Sequence, residues 1–260
     1  MAFKYYEKSA NQGYSDAFAR IGIMFEKGLF KTEINLSEAL VNFRKSVEID
    51  ENPTGLNGLG NAYYTGNIYK QNYKNAVDLY KRAIHGGNID VLNNLGICYE
   101  YGRGVEQNYL EALKYYSLAK DRLNPDATTN YAILKIKIGI FSNNYSCFNE
   151  CFKVLQNSLL LKKNNPNAYY YIGILYELGI DMFDDGNIIK NPYLAFLNYK
   201  KAAELGYNKA LTKVGIALFN GIQGVFEHNA EAGIATLKKA SDLGDIEAKQ
   251  FLDYIKKNAS

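Results

Sequence analysis

A small residue returns along this chain at an interval that one globular core would not impose. The positions are Gly22, Gly60, Gly96, Ala132, Gly173 and Gly215, separated by 38, 36, 36, 41 and 42 residues. A period in this range marks stacked supersecondary units, each too small to bury its own apolar face and completed by its neighbours. The stretch 88–120 shows one unit: Val91–Leu95–Tyr99 and Leu110–Leu113–Tyr116–Ala119 are spaced by three and four residues, the pattern of two amphipathic helices. A glycine six residues beyond the anchor, at Gly28, Gly66, Gly102, Gly179 and Gly221, is placed to end the first helix in a left-handed conformation. Each unit is therefore a helical hairpin.

The anchors share one apolar face with their neighbours. Immediately before them stand Ile21, Leu59, Leu95, Tyr131, Ile172 and Val214, and three after them Phe25, Tyr63, Tyr99, Tyr176 and Leu218. Five residues before, Ala17, Gly55, Ala127, Ala168 and Ala210 are small, which predicts a narrow point where another helix comes close. The second helices pair a small residue with a bulky one four later, as in Ala39/Phe43, Ala76/Tyr80, Ala112/Tyr116 and Ala195/Tyr199, and add Ser46, Ala83, Ala119 or Ala202 on the same face. The four prolines, Pro53, Pro125, Pro166 and Pro192, each follow an asparagine; Asn caps a helix and Pro suits its first turn, so each pair starts one. The reading is an all-α solenoid over residues 1–260, with hairpins near 15–50, 53–87, 89–122, 125–162, 166–206 and 208–244. Partial end helices lie at 2–13 and 246–257.

Composition excludes several functions. With 47% hydrophobic and 22% charged residues the chain is that of a folded protein, and a net charge of +3 gives no electrostatic reason to bind nucleic acid. No apolar run reaches membrane-spanning length, so no membrane insertion is expected, and residues 1–20 lack a signal-peptide core. Cys98, Cys147 and Cys151 form no disulfide framework, which favours a reducing compartment such as the cytoplasm. The chain opens within a second helix, so membership of a longer parent protein is one expectation. The 23 tyrosines, against no tryptophan, should line surfaces as well as core.

Leu95–Gly96–Tyr99–Gly102, Ala195–Tyr199–Ala202–Gly206 and the junctions 4–17 and 198–210 resemble the Sel1-like repeat of the tetratricopeptide superfamily. The resemblance implies an α–α superhelix that serves as an adaptor, with first helices lining a concave groove. The fourth unit departs from it, having Ala132 and Lys135 at anchor and aromatic positions and a terminating Gly139 one residue late. The fifth carries an insertion at 180–191, expected to project as a loop.

Four positions relative to each anchor, six and three before and one and four after, form one stripe on the first helix. At the third before are Ala19, Asn57, Asn93, Thr129, Tyr170 and Thr212; one after, Ile23, Asn61, Ile97, Ile133, Ile174 and Ile216. Four after stand Glu26, Tyr64, Glu100, Ile136, Glu177 and Phe219. The resemblance places this stripe in the groove. Partner contacts are expected at Asn57, Asn61, Tyr64, Asp90, Asn93, Ile97, Glu100, Thr129, Tyr170, Ile174, Glu177 and Phe219, with the asparagines holding an extended backbone. The other side of the account is that some of these residues pack between units or are solvated. Asp90, Asn93, Ile97 and Glu100 are read as not needed for packing.

Catalytic readings find little support. His85 and His228 lie units apart, and His85 sits at a helix end where a cation suits the dipole. Cys147 and Cys151 share a helical face but have no further ligand nearby, and Cys151 occupies the small core position. Asp181 and Asp185 do not make a calcium loop, because Phe183 and Pro192 occupy ligand positions. Lys200–Lys201 and Lys238–Lys239 read as solvated outer faces. No cofactor or metal is expected. The function expected is a non-enzymatic scaffold that binds a peptide segment or partner domain. The alternatives are a repeat-fold hydrolase, a small-ligand binder or the scaffold part of a multidomain protein. Phe3, Tyr5, Phe251 and Tyr254 at the ends offer faces for a homodimer.

Overall fold

The computed structural model describes residues 2–179 and 189–258; most of the 180–191 insertion, with Asp181, Phe183 and Asp185, lies outside them. The described residues form fourteen α-helices and no strand. In chain order they are α1 (Ala2–Ala10), α2 (Ser15–Lys27), α3 (Leu36–Asp50), α4 (Pro53–Thr65), α5 (Tyr73–His85), α6 (Leu92–Tyr101) and α7 (Tyr109–Lys120). There follow α8 (Pro125–Phe141), α9 (Phe148–Leu161), α10 (Pro166–Leu178), α11 (Pro192–Glu204), α12 (Asn208–Asn220), α13 (Ala230–Asp242) and α14 (Ile246–Asn258). A 3₁₀ turn, Ile89–Val91, leads into α6. Contacts divide the chain into two compact units, Met1–Asn124 and Pro125–Ser260. The first stacks hairpins α2–α3, α4–α5 and α6–α7 behind α1; the second stacks α8–α9, α10–α11 and α12–α13 before α14.

The recurring glycines are where the two helices of a hairpin meet. A Cβ added at Gly22, Gly60 or Gly173 would lie 2.6 Å from a ring carbon of Phe43, Tyr80 or Tyr199, and one at Gly96 would strike the Tyr116 ring. These rings and the alanines Ala39, Ala76, Ala112 and Ala195 are buried. These four anchors thus have no side chain because an aromatic ring occupies that volume, where a methyl group would overfill the core; at Gly215 the same volume is taken by Leu237. The second glycines also behave as expected in φ: Gly28, Gly66, Gly102, Gly179 and Gly221 lie between 62° and 74°. Gly28, Gly66 and Gly102 are left-handed, whereas Gly179 and Gly221 combine positive φ with extended ψ of 159° and 173°.

Every Asn-Pro pair starts a helix, at Pro53, Pro125, Pro166 and Pro192. The asparagines at the starts of the other second helices are a further regularity: Asn35, Asn72, Asn108 and Asn229 cap α3, α5, α7 and α13 through their side-chain oxygens. Their backbone N–H groups, and that of Asn191, donate back to Phe25, Tyr63, Tyr99, Leu218 and Tyr176 at 2.7–2.9 Å. One residue type thus closes the hairpin turn and starts the next helix.

The fourth hairpin corrects one expectation. Gly139 does not end its first helix; α8 continues to Phe141, and the positive φ falls on Asn143. Gly139 is small because a Cβ there would meet the Asn144 carbonyl oxygen and the Phe148 ring, each at 2.6 Å. Its second helix keeps the core pattern with other residues, burying Cys151, Leu155 and Ser158 at the same spacing. No described helix is long and apolar enough to cross a membrane.

Candidate functional site

An α-helix turns about 100° per residue. If the anchor points at its partner helix, the positions four after, three before, one after and six before lie roughly 40°, 60°, 100° and 120° away from it. The stripe is therefore graded, with its near edge close to the packed face. In the first unit Asn57, Asn61 and Tyr64 on α4, and Asn93 and Ile97 on α6, are half-buried; Asp90, in the preceding turn, is exposed. Asn61 Oδ1 accepts from the Tyr80 hydroxyl at 2.8 Å and from Asn94 Nδ2 at 3.1 Å, tying α4 to α5 and α6. The amide oxygen of Asn57 is covered and has no donor. Tyr64 accepts from Arg103 Nη1, and the guanidinium also lies over the Tyr73 and Tyr101 rings at 5.6 and 5.1 Å.

Glu100 corrects the reading that it is free of packing duties. It is only 6% exposed and accepts the Tyr116 hydroxyl at 2.8 Å, because its position is the one nearest the second helix. In the second unit Thr129 is equally committed: it is 2% exposed, donates to the Pro125 carbonyl and accepts from Asn165 Nδ2 at 2.8 Å. Tyr170 packs against the rings of Tyr171, Tyr199 and Tyr207, and burial pushes its hydroxyl pKa above the ordinary value. Ile174 packs on the same cluster, and Phe219 meets the Phe251 ring edge-on at 5.8 Å. Glu177 remains half-exposed.

Two pockets open beside the position four after the anchor. One, of about 210 Å³, lies between hairpins α2–α3 and α4–α5 and is lined by Glu26, Leu36, Leu40, Phe43, Asn61 and Thr65 among others. The other, of about 290 Å³, lies between α10–α11 and α12–α13 and is lined by Glu177, Phe196, Tyr199, Lys213, Ile216 and Asn220 among others. In the second pocket the Tyr199 hydroxyl donates to Glu177 Oε2, and Lys213 Nζ stands 3.4 Å from Oε1. In the first, the ring beside Glu26 is Phe43, which has no hydroxyl, and burial pushes the Glu26 carboxyl pKa up, against a smaller opposing effect of Lys27. Sequence reasoning placed Glu26 in the stripe but not the pocket; the signal available was Phe43 standing where three other hairpins have tyrosine.

The remaining reactive side chains serve structure. Cys98 and Cys151 are fully buried, and burial pushes the Cys98 thiol up to about 11. No group of three or more His, Cys, Asp or Glu among the described residues is arranged to hold a metal. His85 ends α5 with Nδ1 2.8 Å from the Lys81 carbonyl. Lys200, Lys201, Lys238 and Lys239 are exposed. Phe3 packs edge-on against Phe25 at 5.7 Å, whereas Tyr5 and Tyr254 are 69% and 62% exposed.

Stacked two-helix units, glycine-anchored and closed by capping asparagines, define a helical-repeat protein of the tetratricopeptide type. The Sel1 repeat matches residues 1–14, 15–49, 53–88, 89–122, 166–207 and 208–245, and the chain belongs to the Sel1 repeat family. The hairpin that the match omits is α8–α9, which departs most from the pattern. Among solved structures, the fold is similar to that of a protective antigen of uropathogenic Escherichia coli with an SLR fold (TM-score 0.68, 24% identity, 99% of this chain and 52% of that one). It is also similar to a Sel1 repeat protein of Oxalobacter formigenes (TM-score 0.65, 23% identity, 97% and 68%). A third, PilF of Pseudomonas aeruginosa, aligns over 92% of this chain and 97% of its own, with TM-score 0.63 and 22% identity. This chain thus spans about half the length of the first of these. A search of the curated proteins finds no match. Sel1 and tetratricopeptide repeats are typically non-enzymatic and commonly serve as protein–protein interaction scaffolds.

Proposed function

We propose that this chain is a non-enzymatic scaffold whose first-helix face, on α4 and α6 above all, holds an extended peptide segment of a partner protein. The observation that carries the reading is the contrast within those helices. Their anchor faces are closed by Tyr80 and Tyr116, while Asn57, Asn61, Tyr64, Asn93 and Ile97 stay partly accessible and Asp90 exposed on adjacent hairpins. An asparagine amide can donate to a peptide backbone while its oxygen is engaged or covered, as those of Asn61 and Asn57 are, and Ile97 and the Tyr64 ring supply apolar contact beside them. The second unit contributes less, because Thr129 is buried and Tyr170 and Phe219 pack against neighbouring aromatic rings.

The test starts from a displayed library of random linear peptides selected on the chain. The enriched peptides are then titrated against the triple variant Asn57→Ala, Asn61→Ala, Asn93→Ala, with circular dichroism confirming retained helix content. Weakening by tenfold or more, which is about 1.4 kcal/mol, supports the assignment. Unchanged affinity in a folded triple variant removes the groove from the account.

A further inference from the structure

We infer that the pocket between α2–α3 and α4–α5 is a binding site for a lysine side chain of a partner, with Glu26 receiving the ammonium and the walls taking the aliphatic stem. This rests on the proposal that the first-helix face binds a partner, and it adds the chemistry of one side chain.

The protein carries its own precedent in the other pocket. Glu26 and Glu177 both stand four residues after an anchor glycine, and Phe43 and Tyr199 pack on those glycines in the same way. Two donors meet Glu177: the Tyr199 hydroxyl from its own hairpin and the Lys213 ammonium from the next one. At the first pocket both are missing by substitution. Phe43 removes the hydroxyl, and the residue equivalent to Lys213, two before the next anchor, is Gly58. Among the described residues none hydrogen-bonds or ion-pairs with the Glu26 carboxylate, Lys27 acting on it only through space, and burial raises its pKa. A partly desolvated carboxylate whose burial Lys27 offsets only in part is unfavourable, and a cation entering the pocket relieves it.

The rest of the lining suits an ammonium on a methylene chain. Leu36, Leu40 and Phe43 provide apolar wall, along which a lysine stem packs while its head stays at the polar end. Thr65 donates its hydroxyl proton to the Asn61 carbonyl at 3.0 Å, so toward the pocket its oxygen can only accept. An ammonium has three donors and no acceptor, which matches Glu26 and Thr65; Asn61, whose side-chain oxygen is taken by Tyr80 and Asn94, adds no acceptor.

The experiment titrates Nα-acetyl-lysine N-methylamide into the ¹⁵N-labelled chain and follows amide shifts at Gly58, Asn61, Ala62 and Thr65. Expected are saturable shifts that the norleucine derivative, which has the four-carbon stem without the ammonium, does not produce, and affinity at least tenfold weaker in both Glu26→Gln and Phe43→Tyr. The second variant leaves the acid in place and supplies the hydroxyl that three other hairpins have, so it closes the site without emptying the core. Equal binding of the norleucine derivative, or affinity unchanged in both variants, overturns the inference, as does tighter binding of the arginine derivative. Because the probe is a single residue, its failure is separable from that of the scaffold reading, which the triple asparagine variant tests with whole peptides.

Discussion

Hairpins α2–α3 and α10–α11 bury an aromatic ring against a glycine in the same geometry, and each keeps a glutamate one turn beyond it. They differ in what meets that glutamate. Tyr199 and Lys213 complete the acid in the second unit, whereas Phe43 and Gly58 supply no donor to the acid in the first. The ring and the glycine solve a packing problem common to four of the six hairpins; the hydroxyl and the ammonium are separable from it. A repeat can therefore lose its internal polar partner while its hydrophobic architecture stays intact, and the vacated position becomes available to another molecule. The difference between the two hairpins separates what the fold requires from what a binding site can use.

The largest effects are expected where the two hairpins agree. Gly22→Ala and Gly173→Ala each place a Cβ 2.6 Å from a buried ring carbon, of Phe43 and Tyr199 respectively. Overpacking of this kind costs about 1–3 kcal/mol, from which better helix propensity takes back up to about 1 kcal/mol. Chemical denaturation should show losses of the same sign and similar size in the two variants. A neutral Gly22→Ala beside a destabilised Gly173→Ala would break the claim that the packing is common to both.

Reciprocal ring changes come next in size. Tyr199→Phe removes a donor from the half-exposed Glu177, for an expected loss of about 1–2 kcal/mol. Phe43→Tyr should do the opposite and alter the pH profile. Glu26 binds its proton more tightly folded than unfolded, so its contribution to stability is fully present below the ordinary glutamate value of 4.5 and lost as pH rises through the raised folded value. A tyrosine hydroxyl donated to the carboxylate favours the charged form and pulls that folded value down. Thermal midpoints of wild type and Phe43→Tyr, compared from about pH 4 to about pH 8, should diverge in favour of the variant as the pH rises. Parallel curves would show that the hydroxyl does not reach Glu26.

How much of this was legible without coordinates follows from the same division. The anchors and their small–bulky counterparts repeat because most hairpins fit a ring against a glycine, so Gly96, Ala112 and Tyr116 revealed the hairpin fold. Glu100 was misread because helical periodicity gives a direction and not a depth: at about 40° from the anchor a side chain can turn to solvent or to the neighbouring tyrosine. Gly139 was misread because glycine serves both to end helices and to admit close contacts, and only the Phe148 ring and the Asn144 carbonyl oxygen beside it decide between them. The pocket at Glu26 depends on an absence at two positions, Phe43 and Gly58, drawn from different hairpins. Nothing in the local sequence of either links them.

The smallest stability effect carries the sharpest test of the comparison. Lys213 stands 3.4 Å from Glu177 and 3.8 Å from Glu247, with both carboxylates about half-exposed, so Lys213→Ala should cost no more than about 1 kcal/mol. Combined with Tyr199→Phe, it leaves Glu177 without the two donors that Glu26 also lacks. If the missing donors make the first pocket a lysine site, this double variant should acquire binding of Nα-acetyl-lysine N-methylamide, with new amide shifts at Ile216, Ala217 and Asn220 that wild type does not show. Lys213→Ala alone should gain less, because Tyr199 still donates to the acid. Absence of binding in a folded double variant would mean that an unpartnered glutamate is not sufficient. Recognition in the first pocket would then depend on what distinguishes its lining, above all Asn61 and Thr65 in place of Ile216 and Asn220.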